Sequence, residues 1–282
     1  MKKIEISFIF FFSFFFLSLG ANWGLPNNER INLLFNNKKD HSENITSLSN
    51  TYKKQKDLTG NKIYIDDYKD FQKNLDYQTS IKMGLARYLI VPYAGDDAFT
   101  LKALKNLDPS KMDFDPDYYF YGGGFIYTCA AVLFIADKLN LIELVNKVEF
   151  YLEKPNEIGK IYLLLRYLVI FFTSLGVLLL FIVSREIGGV FFSYLSSFLL
   201  LINPETIASS HAIEPHSFVL PFFLLAIFFS LKFLKIKRDL NLLLFGFFSG
   251  IAIGTQITSI YLVFIFFYIQ YKNFSNQVGY RI

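Results

Sequence analysis

Between Leu240 and Tyr271 the chain runs 32 residues without a charged side chain. A helix rises ~1.5 Å per residue, so one unbroken helix of that length would span ~48 Å, against a bilayer hydrocarbon core of ~30 Å. The stretch therefore predicts two short membrane helices with a break near Gly254-Thr255-Gln256. Three further apolar blocks predict membrane spans: Ile161–Val183, closed by Ser184-Arg185-Glu186; Ile187–Asn203, closed by Pro204-Glu205; and His216–Leu231, closed by Lys232, Lys235, Lys237 and Arg238. Composition agrees. Phe occurs 34 times in 282 residues and charged residues make up 18%, well below the quarter or so usual in soluble domains. The expectation is an all-α polytopic membrane protein.

At the N-terminus, Lys2 and Lys3 precede an uncharged run from Ile6 to about Leu25. It reads as a transmembrane helix, with a signal peptide cleaved near Ser18–Ala21 as the alternative. Either way the following segment is delivered to the outer side. That segment, 26–160, is rich in Asn, Lys, Asp and Tyr and reads as a large first outer loop, polar and flexible from Asn36 to Asn61. Within it, Gly122–Ala136 reads as a juxtamembrane or re-entrant helix. Asn140–Lys154 reads as an amphipathic helix with Leu141, Leu144, Val145 and Val148 on one face. Residues 161–282 form the transmembrane bundle, and the uncapped run from Tyr271 to Ile282 suggests a fragment of a longer protein. The basic cluster Lys235-Ile236-Lys237-Arg238 assigns its end to the inside. Counting back, Arg185 is inside, His211–His216 outside, and the break near 255 outside as well.

Polar groups on that outer face are the candidates for chemistry. Asp96 and Asp97 open a helix expected over Ala98–Leu107, where carboxylates suit the N-terminal dipole. They serve either as simple caps or as a general base and its partner. Asp113, Asp115 and Asp117 alternate around Pro116. A solvated turn explains them, and a divalent-cation site is the alternative. Tyr118–Tyr121 suits an aromatic belt or a sugar-stacking surface. Arg166, His211, Glu214, His216 and Gln256 fall near the same face. Arg is suited to bidentate phosphate contact, though Arg166 can equally snorkel to the interface and the two His can simply end helices. Cys129, the single cysteine, excludes an intrachain disulfide. No P-loop, dinucleotide fingerprint or HExxH motif is present, and nothing suggests nucleic-acid binding.

The order of these features resembles the GT-C membrane glycosyltransferases, in particular the protein O-mannosyltransferase and aminoarabinose-transferase-like group. The resemblance rests on the acidic pair in the first outer loop, the Asp-Pro and Tyr-Gly stretch through Gly122-Gly123-Gly124, and Arg166 opening a long helix. It continues through Ser184-Arg185-Glu186-Ile187-Gly188-Gly189, Asn203-Pro204 through His216, and the Gly-rich run Gly246–Gln256. It implies a GT-C-like bundle, taken to be the N-terminal portion of such an enzyme. The implied activity is transfer of a sugar from a polyprenyl-phosphate donor to a lipid, glycan or protein acceptor at the periplasmic or extracellular face of a bacterial inner membrane. Asp96 is then the base, with Asp97 beside it. Arg166, His211, Glu214, His216, Tyr121 and Gln256 face the substrate. Here the family more often has Asp-Glu at the acidic pair, Asp where His216 stands and a basic residue where Gln256 stands. A transporter or flippase, or a non-catalytic membrane subunit, is the competing reading. It predicts ionisable residues at helix centres, whereas here they gather at one face.

Overall fold

The computed structural model describes residues 3–35, 44–51, 77–93 and 97–279. Asp96 and most of the Asn36–Asn61 stretch lie outside the described residues. The described chain is helical and forms no strand; Asp108 and Asp113 make one isolated bridge. The chain divides into two compact units. One comprises Met1–Ala21, Tyr118–Cys129 and Arg166–Ile282, the other Asn22–Asp117 and Ala130–Leu165.

In the first unit, helix α1 (Lys3–Ser18) is a Phe-rich helix that ends in a turn through Gly20 at φ +82°. Its Leu17 and Ser13 are buried; Phe10 meets Phe171 edge-on at 5.6 Å and Phe14 packs tilted on Tyr167 at 6.3 Å. The helical stretch Pro155–Ile202, which belongs to this unit from Arg166 on, is 48 residues long but breaks at Gly189, whose φ of 81° and ψ of −166° suit only glycine. The chain reverses there: Ser196 donates to Ser184 at 2.8 Å, Ser197 to the Val177 carbonyl at 3.4 Å, and Tyr194 packs on Phe181 at 5.0 Å. The expected stop at Ser184-Arg185-Glu186 thus falls a few residues later. Those three residues stay helical, and the reversal falls behind them at Gly189, where the positive φ suits glycine. After a short helix (Pro204–Ser210) and a bend come Pro215–Phe218 and Leu220–Ile236, then Asp239–Thr255. The last two pack as a hairpin around Val219, Ala226, Phe233, Phe245 and Ala252. Gln256 is extended (φ −150°, ψ 118°), a 3₁₀ turn Ile257–Tyr261 follows, and then the helix Leu262–Gly279. The uncharged 32-residue run is therefore two helices broken where the sequence predicts.

Pro155–Ile202 and Pro215–Ile236 are each long and apolar enough to cross a bilayer. Their outward surfaces carry large apolar side chains such as Phe191, Phe192 and Phe198, continued by Phe247, Phe264 and Phe267 on the later helices. Contiguous apolar surface on that scale is incompatible with an aqueous exterior; this is an all-α membrane protein. Charged pairs collect at one end of this unit. Arg185 meets Glu5 at 3.1 Å, and Glu186 takes Lys235 at 2.8 Å and Lys232 at 3.4 Å.

The second unit contains α2 (Glu29–Leu34), α3 (Tyr77–Ile90), α4 (Asp97–Asn106) and a short helix Val148–Glu153. The amphipathic helix expected over Asn140–Lys154 is present only in that last piece. Asn140 is left-handed at φ 54°, and the loop behind it is held by side chains. Asp137 Oδ1 accepts the Leu144 N–H at 3.1 Å and the Tyr151 hydroxyl accepts the Val145 N–H at 3.0 Å. These bonds replace the helical ladder the periodicity suggested. Helix α5 (Gly123–Lys138) contributes to both units. At 16 residues it measures ~24 Å, shorter than the hydrocarbon core.

Candidate functional site

The end of the first unit opposite its charged pairs is assembled around two helix termini. The last carbonyls of α1 and the turn after it point out of the helix with no intrahelical donor. His211 Nε2 lies 2.7 Å from the Leu17 carbonyl, and Arg166 Nη1 donates to Ala21 O at 3.0 Å. A carbonyl only accepts, so the His211 proton sits on Nε2. Both groups are cation-capable side chains at a helix C-terminus, where the dipole favours them. Arg166 is 3% exposed and is thereby a structural member of this end.

The second terminus is the break after Thr255. The Gly122 N–H donates to the Thr255 carbonyl at 3.1 Å, joining the start of α5 to the end of Asp239–Thr255. A Cβ on Gly122 would meet the Gly254 carbonyl oxygen at 2.1 Å, and one on Gly124 would meet Thr255 Oγ1 at 2.5 Å. Gly122 and Gly124 are thus required by packing. Beside it, Gln256 Nε2 approaches His216 Nδ1 at 2.6 Å, and His216 Nε2 lies 3.4 Å from Glu214 Oε2. A Gln amide can turn either its donor or its acceptor toward Nδ1. His216 is the accessible member and Glu214 the covered one, at 54% and 14% side-chain exposure. Tyr121, next to the glycines, meets Phe125 edge-on at 6.0 Å, and Phe125 meets Phe218 at 5.2 Å. The structure therefore joins Gln256 to His216 by a hydrogen bond, with Glu214 at ion-pair distance from the same imidazole, while His211 and Arg166 hold the end of α1.

In the second unit, Asp97 occupies the first turn of α4 and is fully buried. Asp113, Asp115 and Asp117 form successive Asx turns: Asp113 Oδ1 accepts the Asp115 N–H at 3.1 Å and Asp115 Oδ1 the Asp117 N–H at 2.9 Å. Among the described residues no group of three His, Cys, Asp or Glu side chains gathers at metal-ligand spacing. Asp108, hydrogen-bonded by Lys111 Nζ at 2.7 Å and by Ser110, is held down to about 2 by those two donors.

One organising residue was not anticipated. Arg30 is 7% exposed and donates to three carbonyls: Gly24 at 2.7 Å, Val91 at 2.8 Å, and Tyr88. It caps the C-terminal end of α3, with its guanidinium over the Tyr88 ring at 5.0 Å. Gly24 O also accepts the Tyr93 N–H at 3.0 Å. Arg30 thus fixes the chain from Tyr88 to Tyr93, just ahead of the acidic pair. Burial pushes its guanidinium below its ordinary value. The only sequence signal was an isolated Arg in a polar turn, indistinguishable from a solvated one.

Residues 158–278 match the model of the dolichyl-phosphate-mannose-protein mannosyltransferase family. Over this segment the chain is similar to that family. Its members are GT-C-type membrane glycosyltransferases. No curated protein and no solved structure matches the chain. The family segment takes in Arg166, His211, Glu214, His216, Thr255 and Gln256; Asp97 and Tyr121 precede it.

Proposed function

We infer that the chain is part of a membrane glycosyltransferase that moves a sugar from a polyprenyl-phosphate donor to an acceptor at the outer face of a bacterial inner membrane. The family match over 158–278 carries this reading. Its helices end in the Glu214–His216–Gln256 group, at the end away from the Arg185 and Lys235 pairs that the positive-inside rule assigns to the inside.

In the proposed reaction an acceptor hydroxyl oxygen attacks the anomeric carbon. The bond from that carbon to the phosphate oxygen breaks, and polyprenyl phosphate departs with the bonding electrons through an oxocarbenium-like transition state. The acceptor's proton passes to a carboxylate. Asp96, which lies outside the described residues, takes that role on the sequence reading, and Asp97 is its partner carboxylate. Tyr121, Glu214, His216 and Gln256 offer stacking and hydrogen bonds to the sugar. Arg166 and His211, read from the sequence as substrate groups, serve in this proposal by holding the end of α1.

The test is sugar transfer by membranes carrying the complete protein, supplied with a labelled polyprenyl-phosphate sugar. Asp96→Asn and Asp97→Asn keep shape and remove the carboxylate. Each is expected to lower transfer by about 10²–10⁴-fold, the usual worth of a positioned base. Transfer at the parental rate in both variants would exclude the assigned chemistry.

A further inference from the structure

Beside the C-terminal end of α3 is a cavity of about 310 Å³ that the transferase reading leaves unused. Arg30, Arg87, Tyr88 and Tyr93 line it, and no carboxylate does. All four precede the segment that matches the mannosyltransferase family. A Cβ on Gly84, in the cavity wall, would meet nothing within 4 Å, so the wall is open there. Arg30 is the buried member of the group. A guanidinium carries five N–H donors. Arg30 uses three of them, on the carbonyls of Gly24, Tyr88 and Val91. Nε–H and one N–H of Nη2 have no acceptor among the described residues, yet Nε is not sealed from solvent. No carboxylate among the described residues pairs with Arg30 either. Taking an ion out of water costs several kcal/mol. Desolvation is the main influence on this guanidinium and lowers it from its ordinary value. The three carbonyls and the Tyr88 ring offset part of that cost, and a counter-ion in the cavity would offset the rest.

We propose that this cavity is an oxyanion site: a carboxylate or phosphate held by Arg30 and Arg87, on a sugar that packs against Tyr93. A guanidinium suits both oxyanions because its planar donors match two oxygens at once. Arg30 is fixed before any ligand arrives, by its three carbonyls and by the Tyr88 ring at 5.0 Å. Little side-chain freedom is then lost on binding. The C-terminus of α3 contributes about half a negative charge, too little to outweigh two full positive ones. Tyr93 is 76% exposed and packs at 5.7 Å on Trp23, itself 72% exposed. Two large aromatic faces left open beside a cationic cavity suit a ligand with an apolar flat side as well as a charge. A sugar ring bearing an acid group has both. Asp97 opens α4 four residues after Tyr93, a length of chain that spans at most ~14 Å. A sugar anchored here therefore lies close to Asp97, which makes it the acceptor. That last step rests on the transferase reading; the oxyanion site does not. The acidic sugar can be borne by a soluble glycan or by a lipid headgroup, and the two share this chemistry.

The test is a ligand-observed NMR titration of the purified complete protein in nanodiscs with glucuronate, glucose and inorganic phosphate. Gly84→Glu puts a carboxylate at the open wall, and Gly84→Ala adds a methyl alone. Both replace a glycine inside α3 by a better helix former, so both should melt at or above wild type. Glucuronate should bind wild type and Gly84→Ala alike, at least tenfold tighter than glucose. It should bind Gly84→Glu at least tenfold more weakly. Arg87→Gln should weaken it by about tenfold, as expected for a lost hydrogen bond between charged groups. Equal affinity for glucuronate and glucose overturns the site, as does glucuronate affinity unchanged in both Gly84→Glu and Arg87→Gln. Binding of inorganic phosphate without glucuronate, lost in Gly84→Glu, upholds the oxyanion site and overturns the sugar. Glucuronosyl diacylglycerol in the nanodisc names the carrier: displacement of glucuronate assigns a lipid headgroup, and no displacement assigns a soluble glycan. Glucuronate binding in a protein that transfers no sugar upholds the site and overturns the acceptor role. No glucuronate or phosphate binding in a protein that does transfer overturns the site alone.

Discussion

Gly122 can be tested by the smallest side chain. In Gly122→Ala the new Cβ would stand 2.1 Å from the Gly254 carbonyl oxygen and 2.6 Å from that of Thr255. Both are backbone atoms at a helix end, so neither can rotate away, and the start of α5 must move instead. Overpacking of this kind costs ~1–3 kcal/mol, and losing the Gly122–Thr255 hydrogen bond adds ~1 kcal/mol. The sum is ~2–4 kcal/mol. At ~2–4 °C per kcal/mol for a larger domain, the melting temperature should fall by about 5–15 °C. Gly250→Ala is the control. Gly250 lies inside the helix Asp239–Thr255 and a Cβ there meets nothing within 4 Å, so alanine should stabilise by ~0.5–1 kcal/mol. The assay is a thermal melt of the detergent-solubilised protein by intrinsic fluorescence, both variants beside wild type. A Gly122→Ala protein that melts with wild type would refute the close approach of α5 to the break.

Arg30→Ala should leave the carbonyls of Gly24, Tyr88 and Val91 without their donor. It should destabilise the second unit by ~2–4 kcal/mol, in the range of breaking a buried charged network. Limited proteolysis should then cut near Val91 before other sites; an unchanged cleavage pattern would contradict the capping role. Asp108 should titrate at about 2 by carboxyl NMR. Because its folded value is depressed, the stabilisation from its Lys111 and Ser110 bonds is present above the free carboxylate range. It is lost as pH falls through about 2. Lys111→Ala should return Asp108 toward the ordinary carboxylate value.

Much of this architecture is written in charge spacing. The break at Gln256 follows from a run too long for one crossing, and the hairpin at Lys237 and Arg238 from basic residues ending an apolar block. The turn at Gly189 was displaced by a few residues because polarity marks where a helix reaches water, while φ marks where the backbone can reverse. The helix expected over Asn140–Lys154 failed for another reason: Asp137 and the Tyr151 hydroxyl take backbone N–H groups that periodicity counts as helical. Of the candidate site, the residue types at the 211–216 bend and at Gln256 were legible. Their pairing was not, since Gln256 and His216 are 40 positions apart. Arg166 and His211 were read only as substrate groups or interfacial polarity, because a sequence does not show which helix end lies beside them. Gly122-Gly123-Gly124 ahead of an apolar run was a readable helix start; the hydroxyl beneath it belongs to a residue more than 130 positions later.

The central claim is that the donor is a sugar on a lipid phosphate, and donor binding tests it most directly. The complete protein in nanodiscs is presented with a panel of polyprenyl-phosphate sugars and the corresponding nucleotide sugars, and the affinity of Asp97→Asn is measured beside wild type. The account predicts saturable binding of at least one polyprenyl-phosphate sugar, no binding of nucleotide sugars, and an affinity within about threefold of wild type in Asp97→Asn, since that carboxylate serves the reaction step. Binding of nucleotide sugars alone, or of no donor in the panel, would contradict it.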